Sequence, residues 1–372
     1  MRILLRGYYR LGNTGDDCLL AVMLHYLDRW FPGAQVLISP LGDVQLPAVS
    51  LQCSAAGTGL RTLAAICRSD LVIFGGGGVL QDYGPTRSDL DRQLNICRIA
   101  HLLRRPVAFL GIGVGPLARA SSRRLVSRIL RLADVVLLRD RLSAALLDEL
   151  AFGLEYAVGP DPALLLPEVR LPQAPAAAPT GGTVLGVSLL PFFAVAHHQP
   201  ARDERIYELL ASALDSLLAG GRVDAVRLFC LHAGADYDHA AAQAVRSRMA
   251  QAERACVVPY LRNPYDVFTA IGRCTHFLGL RLHAALLAYA AGVPFIAVEY
   301  HPKVAGFADM IQLPAAARLP LADLELPALE AALERLLAGD MPGPGIAYPQ
   351  ICAQARQVMD QVGEHILRTV HS

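Results

Sequence analysis

Short aliphatic segments alternate with amphipathic segments along the first half of the chain. Residues 18–30 and 122–132 repeat apolar positions with a helical period. Short, nearly continuous apolar runs are typical of buried parallel strands. These runs cover residues 3–5, 36–39, 71–74, 107–112 and 135–138. The alternation predicts a doubly wound α/β domain with helices on both faces of a parallel sheet.

The same alternation resumes after a Pro-rich segment at 167–182, which is typical of a linker. Strands are predicted at 184–189, 225–231, 256–258, 276–280 and 295–299. A chain of 372 residues exceeds what one core usually organises, so two domains are expected, with one large barrel as the alternative. The predicted organisation is an N-terminal α/β domain (1–166), the linker (167–182), a C-terminal α/β domain (183–348) and a terminal helix (349–372) that crosses back to the N-terminal domain.

Open parallel sheets bind ligands beyond the carboxyl ends of their strands. Two such domains joined by a linker are expected to face a cleft, with a site to which both contribute. Residues that follow the predicted strands are therefore the first candidates for a functional site.

Charge and cysteine content restrict the classes of partner. The chain has 34 Lys plus Arg against 33 Asp plus Glu, a net charge of +1, so no overall field favours nucleic acid or an anionic membrane. The eight cysteines form no CxxC pair, which argues against a disulfide framework or a zinc site. Neither a signal peptide nor a transmembrane segment is predicted, and we expect a cytoplasmic protein.

A glycine-rich segment at 7–17, GYYRLGNTGDD, follows the first predicted strand and precedes the first predicted helix. Its spacing is not that of a dinucleotide fingerprint. It could bring a ligand close to backbone N–H groups through Gly12, Asn13, Gly15 and Asp16, or these could be ordinary turn and N-cap residues. The segment alone favours neither alternative.

Four consecutive glycines follow the strand at 71–74 in the segment GGGGVLQD. Glycine allows a ligand to lie against the backbone, and a plain turn seldom needs four, so a ligand site is favoured over a tight crossover. The substrate-binding candidates there are Gly76, Gly77, Gly78, Gln81 and Asp82.

Basic residues follow three further predicted strands. Arg139 follows the strand at 135–138, where a guanidinium can bind carboxylate or phosphate, although alone it would be interpreted as a surface partner of Asp140. Arg281 and His283, with Leu282 between them, follow the strand at 276–280. Lys303, the only lysine, follows the next strand. Adjacent strand ends should bring these side chains together, which favours a functional site over scattered structural residues.

The histidines have no HxxxH or HxH spacing with a carboxylate, and neither a G-x-S-x-G elbow nor a P-loop is present. The sequence therefore gives little support to a metal site, an acyl hydrolase or a P-loop kinase.

Together these motifs, in order from Gly7 to about Phe307, resemble the polysaccharide pyruvyl transferase family. Further matching segments are GIGVGPL, LLRDRLS, DPALLL, LRLHAALLAYAAGVPFIAVEY and HPKVAGF. The resemblance is greatest to the branch that pyruvylates cell-wall polymers for anchoring surface-layer proteins. It implies a GT-B-like fold and a requirement for no cofactor.

The resemblance also implies transfer of the pyruvyl group of phosphoenolpyruvate onto two hydroxyls of a sugar as a cyclic ketal. It assigns catalytic roles to Arg139, His283 and Lys303, with Arg281 binding substrate. The expected acceptor is a sugar or lipid-linked polysaccharide, the latter with peripheral contact to the inner face of the cytoplasmic membrane. The oligomeric state is not predicted. A GT-B nucleotide-sugar glycosyltransferase and a non-enzymatic glycan-binding module are the alternatives.

Overall fold

Two parallel β-sheets form the framework of the computed structural model, which describes residues 1–9, 12–56, 59–82, 88–150, 153–169 and 181–371. Within these residues the first sheet has seven strands in the order β3-β2-β1-β4-β5-β6-β7. They are β1 (Arg2–Arg6), β2 (Gln35–Ser39), β3 (Gln52–Ala55), β4 (Leu71–Leu80), β5 (Val107–Val114), β6 (Val135–Leu138) and β7 (Ala157–Val158).

The second sheet has six strands within the described residues, in the order β10-β9-β8-β11-β12-β13. They are β8 (Val184–Ser188), β9 (Ala225–Phe229), β10 (Ala255–Val258), β11 (His276–Gly279), β12 (Phe295–Glu299) and β13 (Arg318–Pro320). All recorded pairings in both sheets are parallel. The prediction of two doubly wound α/β sheets is confirmed.

Helices connect most pairs of successive strands, as is usual in a parallel sheet, but the described residues between β2 and β3 form none. Those associated with the first sheet are α1 (Thr14–Trp30), α2 (Leu60–Arg68), α3 (Ser88–Leu102), α4 (Ala120–Leu130) and α5 (Arg141–Glu149). The second half contributes α6 (Phe192–His197), α7 (Pro200–Ala219), α8 (Ala240–Arg248), α9 (Pro264–Gly272), α10 (Leu282–Ala290), α11 (Pro302–Met310) and α12 (Leu326–Leu337). The long helix α13 (Tyr348–His371) follows.

Each sheet has its own hydrophobic core, built from the aliphatic runs that the sequence shows. In the first, Phe74 and Phe109 stack with ring centroids 4.4 Å apart. In the second, leucines and valines of β8, β9, β11 and β12 pack against α7. Burial on both faces explains why these strands are continuous apolar runs rather than alternating ones.

The glycine run differs from its prediction. The strand at 71–74 does not end before the glycines: β4 continues through them to Leu80 and pairs with β5, with an irregularity in register between Gly77 and Leu80. Gly76 and Gly77 have φ of 75° and 78°, which only glycine adopts at little cost. The glycines therefore bend a continuing strand instead of forming a loop after it.

The first helix also begins earlier than predicted. It starts at Thr14 rather than near Cys18, so Gly15 and Asp16 belong to its first turn. Arg10 and Leu11 of the same motif lie outside the described residues.

Contacts along the chain divide it into two units. The first comprises Met1–Arg10, Gly15–Pro172 and Cys352–Ser372, and the second comprises Leu11–Thr14 and Gln173–Ile351. Helix α13 thus begins in the second unit and continues in the first, where Arg356 pairs with Glu168 and a Cβ on Gly363 would collide with Trp30. Residues 170–180 of the predicted linker lie outside the described residues.

Among the helices that the structure describes, none combines the length and apolar character needed to cross a membrane.

Candidate functional site

The second sheet changes its direction of growth between β8 and β11, which are neighbours although two strands separate them along the chain. Such a switch point opens a crevice at the carboxyl ends of the strands. Ser188, the last residue of β8, accepts hydrogen bonds there from the backbone N–H groups of Leu280 (3.0 Å) and Arg281 (3.2 Å). This hydroxyl fixes the backbone of Arg281 at the switch point.

The side chain of Arg281 is held by a buried carboxylate. Its Nη2 donates to Oδ1 of Asp238 at 2.6 Å, and the Asp238 side chain is fully buried. Asp238 also accepts from the backbone N–H groups of Leu231, at 2.8 Å, and His232. Burial raises the pKa of Asp238, although the Arg281 charge opposes this. Arg281 Nε is buried and has no hydrogen-bond acceptor among the described residues.

His232 is a site residue that the sequence analysis missed. It follows β9, and its Nδ1 accepts from the backbone N–H of Gly234 at 2.9 Å. The ring stacks on Tyr237 with centroids 4.4 Å apart and an interplanar angle of 28°. Burial, and then the Arg281 charge, lower the pKa of His232 to about 4. The imidazole is therefore neutral at physiological pH.

His283 lies at the second position of α10, whose N-cap residue is Arg281. The side chain is partly exposed. Leu282 is 5% exposed and packs into the core, so any contact it makes with a ligand is through its backbone. Arg281 lies between the strand end and the helix start as predicted, whereas Leu282 and His283 belong to the first turn of α10 instead of preceding it.

Lys303 lies at the corresponding position of α11, after the neighbouring strand β12. His301 caps this helix by accepting the Lys303 backbone N–H on Nδ1 at 3.2 Å. The Lys303 ammonium is 5.5 Å from the centroid of the Tyr300 ring, within cation–π range. Lys303 therefore shares the carboxyl edge of the sheet with Arg281 and His283.

Gly12 and Asn13 are bonded to the same unit. Asn13 forms an antiparallel bridge with His232, and the Gly12 carbonyl accepts from Ala233 N–H at 2.8 Å. Gly12 has φ +61°, and a Cβ there would lie 2.5 Å from that of Ala233, so the position requires glycine. The structure thus joins the first predicted motif to the end of β9.

The remaining glycine candidates belong to the first unit, at its own switch point between β1 and β4. There the Tyr9 hydroxyl donates to the Gly75 carbonyl. A Cβ on Gly77 would lie 3.0 Å from Oδ1 of Asp16, and one on Gly78 would lie 2.8 Å from Oε1 of Gln81. Gly15, Gly76 and these residues share one region of the first unit.

Asp82 has a local structural partner. Its two carboxylate oxygens accept from the backbone N–H groups of Ala118 (3.0 Å) and Arg119 (2.8 Å), just before α4. Burial alone would raise the pKa of Asp82, but these bonds and the Ser122 hydroxyl outweigh it and lower the pKa. Asp82 holds the backbone that leads into α4, and its role in binding substrate stays a prediction.

Arg139 emerges at the end of β6, as expected, but it is not a solvated side chain. Its Nη1 donates to Asp161 at 3.0 Å, its Nε lies 3.7 Å from Asp140, and only 7% of the side chain is exposed. Asp161 also accepts from Ala163 N–H at 3.0 Å. The structure places Arg139 in a buried ion pair of the first unit.

No group of three or more His, Cys, Asp or Glu side chains that could hold a metal ion is found in the part of the chain that the structure describes.

The family of this chain follows from a match to a family model that spans most of its length. The model for polysaccharide pyruvyl transferase matches residues 13–302. The chain belongs to the polysaccharide pyruvyl transferase family. The matched segment of this pyruvyl transferase family member includes Arg139, Arg281 and His283 and ends one residue before Lys303.

Three of the solved structures similar to this family member have sequence identities of 10% to 15%. UDP-N-acetylglucosamine 2-epimerase from Rickettsia bellii has a TM-score of 0.58 and 10% identity, with 100% of this chain and 97% of that one covered. The Neisseria meningitidis epimerase, bound to UDP-GlcNAc, has a TM-score of 0.57 and 11% identity, with 99% and 100% covered. Anabaena HepE, in complex with UDP and glucose, has a TM-score of 0.55 and 15% identity, with both chains fully covered.

These similarities show a GT-B-like fold, as predicted. No curated protein sequence matches the chain.

Proposed function

We propose that this family member transfers the pyruvyl group of phosphoenolpyruvate to two hydroxyls of a cell-surface polysaccharide sugar, forming a cyclic ketal and releasing phosphate. The observation that carries the proposal is the convergence of Arg281, His283 and Lys303 on neighbouring strand ends of the second sheet. The family match supports a pyruvyl transferase, and the side chains at this edge suit an anionic donor.

Phosphoenolpyruvate carries roughly three negative charges near neutral pH, so its binding favours guanidinium and ammonium groups. Arg281, held by Asp238 and 15% exposed, supplies guanidinium N–H donors for phosphate or carboxylate. Lys303 supplies a compact charge one strand away. The first turns of α10 and α11 add backbone N–H groups and the positive ends of two helix dipoles at the same edge.

The reaction needs one addition and one displacement at the same carbon. A sugar hydroxyl attacks the enol carbon that carries the phosphate ester and loses its proton to a base, while the methylene carbon takes a proton to become the methyl group. A second hydroxyl then displaces phosphate from the same carbon and closes the ketal, and its proton leaves with the phosphate or through a base. We assign the proton transfer to His283, because an imidazole can act both as a general acid and as a general base.

Arg281 and Lys303 would stabilise the departing phosphate. We also propose that Arg139 contacts phosphoenolpyruvate. Its guanidinium would then bind this substrate in addition to Asp161, or in place of it. The glycines around Gly77, together with Asp16 and Gln81, are proposed to contact substrate. The acceptors to test first are a cell-wall polymer that anchors surface-layer proteins and a lipid-linked precursor at the inner membrane face.

A nucleotide-sugar glycosyltransferase is the second candidate, because the similar solved structures include proteins bound to UDP-GlcNAc or to UDP and glucose. The positive edge of the second sheet would then hold a diphosphate. Whichever donor binds the folded protein raises its melting temperature.

The deciding experiment measures phosphate release from phosphoenolpyruvate across a panel of acceptor glycans, with mass spectrometry to detect the pyruvylated product. We expect acceptor-dependent phosphate release and a melting temperature that phosphoenolpyruvate raises and UDP-GlcNAc does not. Stabilisation by UDP-GlcNAc alone, without phosphate release, would reject the pyruvyl transfer and favour the second candidate.

A further inference from the structure

The stacked pair of His232 and Tyr237 lies beside the proposed donor site. Asp238 follows Tyr237 in the chain, and its carboxylate binds both Arg281 and the His232 backbone N–H. The pair is therefore tied directly to the switch point of the second sheet. Residues Ala235–His239 form a kinked turn in which Tyr237 has non-helical backbone angles, with φ −107° and ψ −120°.

The two rings pack so closely against Gly234 that no larger residue fits there. A Cβ on Gly234 would lie 2.8 Å from the Tyr237 ring and 3.0 Å from His232 Nδ1. Tyr237 nevertheless remains 37% exposed, although His232 covers one side of its ring. Part of an aromatic surface is thus exposed beside Arg281 and Asp238.

The protonation of His232 decides which substrate suits this surface. Its Nδ1 accepts from Gly234 N–H, so in the neutral ring the proton is on Nε2, which can donate. The lowered pKa keeps the ring neutral. A neutral donor beside an aromatic ring adds no charge to attract an anion, but it suits a sugar, which has hydroxyls and an apolar C–H face.

We propose that His232 and Tyr237 form the wall that holds the pyranose ring of the acceptor, Tyr237 through its ring face and His232 through Nε2–H. This inference rests on the proposed function, and it assigns the acceptor to the side of Arg281 that faces β9, with Lys303 on the side of β12.

The experiment uses the full chain and methyl glycopyranosides of glucose, galactose, mannose and N-acetylmannosamine as acceptor probes. Phosphate release at saturating phosphoenolpyruvate gives KM for each glycoside, and calorimetric titration of phosphoenolpyruvate without acceptor gives the donor Kd. Tyr237→Ala should raise the acceptor KM by about 3- to 10-fold, the range of aromatic stacking energies, with the donor Kd unchanged.

Matched variants keep the inference testable if one substitution disturbs folding. Tyr237→Phe retains the ring and should raise the acceptor KM much less than Tyr237→Ala, and His232→Gln retains a donor and should raise it less than His232→Ala. Gly234→Ala should raise the acceptor KM by displacing both rings while leaving them in the chain. Tyr156→Ala is the control, because Tyr156 lies in the first unit and is bonded to Asp148.

The outcomes distinguish a failure of the proposed function from a failure of the acceptor-site inference. A wild-type protein that does not bind phosphoenolpyruvate rejects the proposed function. A protein that turns over phosphoenolpyruvate while Tyr237→Ala leaves the acceptor KM unchanged, or that accepts no pyranoside, rejects the inference alone. Loss of UDP-GlcNAc binding in Tyr237→Ala, with acceptor KM unaffected, would assign the wall to a nucleotide base and also overturn the inference.

Discussion

The buried contact between Asp238 and Arg281 allows a prediction with a worked magnitude. Asp238→Asn keeps the shape of the side chain but removes the charge that faces the guanidinium at 2.6 Å. The new amide also places N–H groups against donors, because Asp238 accepts from Leu231 and His232. Removing one partner of a buried pair costs about 3–5 kcal/mol. Since Arg281 is 15% exposed and can recover some hydration, we expect about 3 kcal/mol.

A loss of about 3 kcal/mol corresponds to a fall of roughly 6–12 °C in the melting temperature of a unit of this size. Differential scanning calorimetry measures the fall, and titration with phosphoenolpyruvate measures the accompanying loss of donor affinity as Arg281 loses its position. Asp236→Asn is the control, because Asp236 is exposed in the same turn. If Asp238→Asn melts within about 1 °C of wild type, the pair does not stabilise the second unit as argued.

Three further predictions concern His283, Lys303 and Arg139. His283→Gln should leave the fold intact and lower turnover at least ~100-fold, measured by phosphate release; a change of only a few-fold would make the histidine structural. Lys303→Ala should weaken phosphoenolpyruvate binding about 10- to 150-fold in calorimetry, with Lys303→Arg also impaired; unchanged affinity would remove this lysine from the site. Arg139→Ala should lower the free energy of unfolding by about 3–5 kcal/mol in urea denaturation, because Asp161 loses its buried partner. Undiminished stability with weaker donor binding would instead indicate a role in binding alone.

Much of the fold follows from the continuous apolar runs. The strands at 135–138 and 295–299 occur as predicted, because both faces of a parallel strand are buried and the run ends where burial ends. The strand β3 was missed because Gln52–Ala55 is mostly exposed at the sheet edge and carries no apolar run. Two further short strands, β7 and β13, offer too few residues for a pattern.

A site residue could be predicted from the sequence only where it comes directly after a predicted strand. Arg281 and His283 come immediately after β11, and the topology rule locates them. His232 also comes directly after the predicted strand at 225–231, so the same rule could have located it. Asp238 could not be recognised this way, because its importance depends on Arg281, which lies 43 residues later in the chain. Likewise, no sequence pattern near Arg139 indicates that its guanidinium forms a buried ion pair with Asp161, 22 residues later.

Helix α13 has a consequence for the order of events during synthesis. Residues 352–372 belong to the first unit, whereas the second unit is complete at Ile351. Ribosomes deliver the chain from its N-terminus, so the first unit lacks part of its own structure until the second has been entirely translated. The first unit, whose synthesis begins first, therefore completes its structure last. Trp30, the single tryptophan, packs against Gly363 of this helix, so its fluorescence should report the moment of completion.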